Sequence, residues 1–264
     1  MINLVLQKFK EQRSSILYYA LGLFGYTWLM IGMFPSMQKA DMEQLTKSMP
    51  EEYMKFFGGD GFLAYSKIEG FLSLEYLGFF FILIIAFYIG SSAGSAIAGP
   101  IEKRTIDFEL SQPISRIRYA FGSFILGLKA SALLVIFNAF VIWALCEAYN
   151  ININNKGIVA FVVTAVFFVW AIYGIAAFLS SIFKSKLTVV LTTIVLTLAF
   201  YLFTSLSNII DKLKDYDHFS LFYLYNPQKL LMNATINWTH IIILAVIMLV
   251  GIISSLYIFN KKDL

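Results

Sequence analysis

Charge is what this chain of 264 residues has least of: 14% of its residues are charged, against about a quarter in an ordinary soluble domain. Apolar residues make up 59%, so a water-soluble globule is excluded. Cysteine is nearly absent. The single Cys146 excludes an intramolecular disulfide and a cysteine-rich metal site. The two histidines, His218 and His240, have no paired acid at ligand spacing, so no metal site is assigned. The Gly-rich stretch from Gly90 to Pro100 lacks the Lys-Ser/Thr pair of a phosphate-cradling loop. ATP is therefore not hydrolysed by this chain alone, and no cofactor is assigned to it. No nucleophile elbow is present, and no residue is assigned a catalytic role. A net charge of +4 is too mild to require a nucleic-acid partner.

What the chain has in abundance is long apolar runs. Each bilayer span takes about 20 residues, so about 156 apolar side chains suffice for six spans plus loops of ordinary composition. The runs fall at about 15–34, 72–98, 119–145, 158–183, 187–206 and 241–259. The first is too long for a signal h-region and is read as a retained span. Before it, Ile2, Val5, Leu6 and Phe9 share one helical stripe, which predicts an amphipathic helix lying on a membrane surface. The fold class expected is an all-α membrane protein, a single transmembrane domain over 1–264. Residues 36–71 read as a polar loop holding a short helix, and 207–239 as a second long polar loop.

Six spans put both termini on one side. That side holds Lys8, Lys10, Arg13, Lys103, Arg104, Arg116, Arg118, Lys184, Lys186, Lys261 and Lys262, within about 43 loop residues. The other side has eight Lys or Arg over about 80 residues, less than half the density. Both termini are therefore expected in the cytoplasm, in a multi-pass protein of the cell membrane, solvated by lipids.

Within the spans, Gly90, Gly94 and Ala98 recur every four residues and would let two helices approach closely, inside one chain or between two. Lys129 lies within the third span, where a charge costs a few kcal/mol. It either snorkels to the cytoplasmic surface or lines a wet path. Asn138 is nine residues further on, about 180° around the helix, so the two cannot face one narrow path.

Between the second and third spans stands IEKRTIDFELSQPISR, residues 101–116, richer in mixed acids, bases and apolar residues than a plain connection needs. Periodicity alone allows a solvated loop or a surface helix. Glu102, Arg104-Thr105, Asp107, Leu110-Ser111 and Pro113-Ile114-Ser115-Arg116 resemble the signature of the type-2 ABC transporter permeases. Arg104 stands where that pattern commonly has Gly, and Glu109 where it has Leu. The surface helix, six spans and the tail Lys262-Asp263-Leu264 are similar too.

The resemblance implies a cytoplasmic coupling helix docking on separate ABC ATPase subunits, with ATP and Mg²⁺ held there. Its candidate contacts are Glu102, Arg104, Thr105, Asp107, Phe108, Glu109, Leu110 and Arg116, with Lys184 and Lys186 in a second protrusion. It implies the membrane subunit of a bacterial exporter, working as a dimer with a second permease copy. A hydrophobic or amphipathic cargo, peptide or drug, fits the aromatic-rich spans. A non-transporting receptor or anchor, a membrane enzyme and a secondary transporter are the alternatives.

Overall fold

The computed structural model describes residues 2–39, 66–106, 108 and 115–262, with the side chains of the first helix described over 12–37. Among these residues the secondary structure is helical throughout. Five helices are long and apolar enough to cross a membrane, and a pair of helices bent by 42° is the sixth candidate. The expected all-α membrane fold is the one observed.

Helix α1, Ile2–Lys39, is continuous. The surface helix and first span expected as separate pieces are one rod, which also runs through Pro35 into the expected loop. Ile16, Leu23, Thr27, Ile31 and Phe34 form its buried stripe, while Tyr18, Leu21 and Trp28 face outward. The rest of the loop, 40–65, lies outside the described residues.

The second span departs most from the uniform run expected at 72–98. Helix α2, Ile68–Leu72, passes into a π-helical turn, Ser73–Leu77, before α3, Phe80–Ala96, and the short α4, Ala98–Glu102. The backbone breaks at Phe79, with φ −133° and ψ −67°, and again at Ile97. A broken helix leaves a carbonyl without its partner, which is costly away from water. Tyr225 resolves this by donating its hydroxyl to the Leu77 carbonyl at 3.1 Å.

The remaining long helices are α5, Arg116–Ala148; α6, Asn155–Ile182; α7, Lys186–Ser207; and, after the short α8, Asp211–Lys214, and α9, Pro227–Asn233, the closing α10, Trp238–Lys261. Asn154 and Asn237 cap the starts of α6 and α10 by accepting backbone N–H bonds. Glycine permits the close crossing of α6 and α10: a Cβ on Gly251 would stand 2.3 Å from the Gly174 carbonyl oxygen. Ser255 donates to the Ala177 carbonyl beside it at 2.7 Å.

Residues 207–239, read as a polar loop, fold back onto the bundle. Leu221, Phe222, Leu224, Tyr225, Leu230 and Leu231 are buried there, and the Tyr225 ring stacks on Phe168 at 4.5 Å. The core is mostly aromatic and aliphatic, with one polar knot. Asn138 donates through Nδ2 to the Thr27 hydroxyl (2.9 Å) and the Tyr76 hydroxyl (2.6 Å), and Thr27 donates to Tyr76 at 3.1 Å. Three spans are thereby joined. Asn138 is fully buried while Lys129 is exposed on the outer side of α5, as their half-turn separation requires.

Candidate functional site

The site gathers at the end of the bundle that holds the C-terminus. Helix α4 stops in a Schellman turn: the Arg104 N–H reaches the Ile101 carbonyl at 3.1 Å and the Thr105 N–H reaches the Pro100 carbonyl at 2.9 Å. Arg104 closes that turn with φ 55°, the left-handed region where glycine alone is unstrained. The turn keeps a glycine geometry without the glycine. Ile106 then tucks into the core, whereas Glu102, Lys103 and Thr105 are exposed and Phe108 is 79% exposed.

Helix α7 begins without help from its own cap, because the Ser185 side chain makes no capping bond. Its first N–H groups need an acceptor. Glu102 supplies it from the other segment: Oε2 accepts the Lys186 N–H at 2.8 Å, and Oε1 accepts the Ser185 hydroxyl at 3.2 Å. A carboxylate there also meets the positive end of the helix dipole. Glu102 and Lys186, expected to face a partner, thus face each other.

The small-residue stripe lies directly behind this bond. A Cβ on Gly94 would stand 3.2 Å from Lys186 Cγ, and one on Gly90 would stand 2.9 Å from Val190 Cα. Ala98 donates its N–H to Ser180 Oγ at 3.2 Å and packs with Leu179 and Val189. Gly90, Gly94 and Ala98 therefore serve packing within the chain, and helices α6 and α7 occupy the place a second subunit would need at these residues.

A third segment closes the cluster. Lys262 donates through Nζ to the Ser181 (2.8 Å) and Ile182 (3.3 Å) carbonyls at the C-terminal end of α6, the end that favours a cation. Arg116 donates to the Lys262 carbonyl at 2.8 Å. Burial and the neighbouring Lys184 hold the Lys262 ammonium below the usual lysine range. Lys184 itself is exposed. The structure thus unites Glu102 with Ser185 and Lys186, and Arg116 with Lys262, while Arg104 only closes the turn after α4. Asp107, Glu109 and Leu110, and the Asp263-Leu264 part of the tail, lie outside the described residues. Among the described residues no group of His, Cys, Asp or Glu could hold a metal ion.

A family model described as ABC-2 family transporter protein matches residues 9–264. The chain belongs to the ABC-2 transporter family. No curated protein and no solved structure matches it. As an ABC-2 permease it is a membrane component of an ABC transporter and a partner of ABC ATPase subunits. The permease places its signature segment, 102–106 and Phe108, on the same end as the 183–186 turn and Lys262. Reading the sequence missed Ser185, Ser180 and the Lys262 contact. The one available signal for Ser185 was a serine directly before a long apolar run, a helix-cap position.

Proposed function

We propose that this ABC-2 permease is the non-catalytic half of an exporter, pairing with a second permease copy and with two cytoplasmic ATPases that hold ATP and Mg²⁺. In this reading the termini and the Glu102 cluster face the cytoplasm, because the Lys and Arg density is highest there. The exposed Phe108 ring and the cations Lys103, Arg104 and Lys184 form the docking surface, with Asp107, Glu109 and Leu110 completing it. The cargo is hydrophobic or amphipathic, a peptide or a drug.

The observation that carries this reading is the Glu102 carboxylate bridging to the start of α7. A nucleotide drives transport only by binding two states of the assembly with different affinity. Closure of the ATPases displaces the segment at 102–108. Glu102 passes that displacement to the Lys186 end of α7, and the Gly94 contact passes it to α3. Two spans move as a unit instead of a loop moving alone. Lys129, exposed among the outward side chains Phe121, Leu133 and Ile136 on α5, lies on the surface assigned to the transport path.

The test is reconstitution with a cognate ABC ATPase subunit. The permease should co-purify with it and raise its ATP turnover. Phe108→Ala with Asp107→Lys should release it; undiminished co-purification and transport by that variant would overturn the docking assignment.

A further inference from the structure

At the opposite end of α7 a cavity of about 90 Å³ opens between α7, the π-helical turn of the second span and the folded-back segment 221–228. Its walls include the rings of Tyr201, Phe222 and Tyr225 and the backbone at Gly78. Among the described residues no charged side chain lines it. Broken backbone at membrane depth is tolerated where it is covered by protein or borders a polar cavity, and this break does the second.

Two lining side chains are unpaired. Ser205 is 3% exposed and Gln228 is 9% exposed. Neither makes a hydrogen bond within the chain among the described residues, and neither has its polar atoms sealed from the cavity. The contrast along α7 is sharp. Thr193, Thr197 and Ser207 each donate to a carbonyl of the preceding turn at 2.7 to 2.8 Å, whereas Ser205 does not. Their polar atoms open to the cavity, so what occupies the cavity, water or a ligand, supplies their hydrogen bonds. The surrounding frame is fixed: Thr204 donates to Ser220 at 2.6 Å, Ser220 to the Phe200 carbonyl at 2.8 Å, and Tyr225 to Leu77.

We propose that this cavity binds an uncharged amide group of a peptide-like cargo, hydrogen-bonded by Ser205 and Gln228 against the rings of Tyr201 and Phe222. A primary amide and a hydroxyl each donate and accept, which matches the donor–acceptor pair of an amide. The described lining carries no countercharge, so a carboxylate or ammonium entering it would be desolvated without compensation from these residues. The identification of the ligand as cargo rests on the exporter reading; the binding chemistry rests on the cavity alone.

The test uses the full chain in lipid nanodiscs, without an ATPase, and radiolabelled N-acetyl-phenylalaninamide as probe. Saturable binding is expected, with binding of N-acetyl-phenylalanine, a carboxylate at pH 7, at least tenfold weaker. Ser205→Ala with Gln228→Met should weaken amide binding at least tenfold at an unchanged melting temperature. As a second readout, Ser205→Cys in a Cys146→Ala background should react with a methanethiosulfonate reagent, and the amide probe should slow that reaction. Absence of saturable binding, equal binding of the two probes, or a double variant that binds as well as the native chain would overturn the proposal. Stimulation of the ATPase by the permease is measured separately. Stimulation without amide binding sinks the cavity assignment alone, and amide binding without stimulation sinks the exporter reading alone.

Discussion

Glu102 accepts the backbone N–H of Lys186 at 2.8 Å, so the acid of one connecting segment is the N-terminal cap of a helix that begins 84 residues later. The bond gives the segment a mechanical role inside the permease as well as a docking role outside it.

Replacing Glu102 by Ala should remove that cap. A lost cap costs about 0.5–2 kcal/mol, and Glu102→Gln, which keeps an acceptor without the charge, should lose less. Thermal unfolding in detergent orders the three proteins. In the reconstituted transporter the alanine variant should hydrolyse ATP with reduced transport per turnover; unchanged coupling would remove Glu102 from the transmission route.

Arg104 holds a left-handed backbone that costs an L-residue about 1–2 kcal/mol. Arg104→Gly should therefore raise the melting temperature of the isolated permease, while Arg104→Val should lower it. The isolated chain is the right sample, because in the complex the glycine also removes a candidate cation contact.

Gly94 sits 3.2 Å, measured from an ideal Cβ, from Lys186 Cγ. Gly94→Leu should destabilise by about 1–3 kcal/mol through overpacking, and Gly94→Ala by less. Because the contact is within the chain, the loss should be independent of protein concentration. A concentration-dependent loss would instead assign the stripe to a subunit interface.

The polar knot of Asn138, Thr27 and Tyr76 invites a double-mutant cycle. Asn138→Leu and Thr27→Val should each destabilise, with a coupling of about 0.6 kcal/mol and at most about 1.7, as for hydrogen bonds between spans. Additive losses, read from unfolding in mixed micelles, would show that the bond carries no net stability.

Lys262 has its ammonium held below the usual lysine range by burial and by Lys184. The folded chain therefore releases this proton at a lower pH than the unfolded chain, and stability rises as pH climbs toward the unfolded value of 10.5. Compared with Lys262→Met, the native chain should gain melting temperature as pH rises toward 10.5. Parallel pH profiles for the two proteins would refute the shift.

Much of the architecture was legible in the residues alone. Hydropathy counts residues in a window, and burying about 20 apolar side chains in lipid leaves a helix few alternatives. The six runs, the placing of 102–116 between the second and third spans, and the opposite facing of Lys129 and Asn138 all follow from length and a rotation of 100° per residue. The continuous α1, the π turn at Ser73–Leu77 and the fold-back of 221–233 did not follow. A π turn, a Pro-containing helix and a buried connection depend on what packs beside them, as Tyr225 does for Leu77.

The site divides the same way. Sequence determined that Glu102 and Arg104 belong to a signature segment and that Gly90, Gly94 and Ala98 form a stripe permitting close approach. Only the tertiary structure decided that Glu102 turns to Lys186, that α7 fills the stripe, and that Ser205 and Gln228 share a cavity. Spacing along one helix fixes which side chains share a face; which helix lies against that face is set by packing between segments distant in sequence, and a polar group's partner is whatever donor or acceptor that packing brings within about 3 Å.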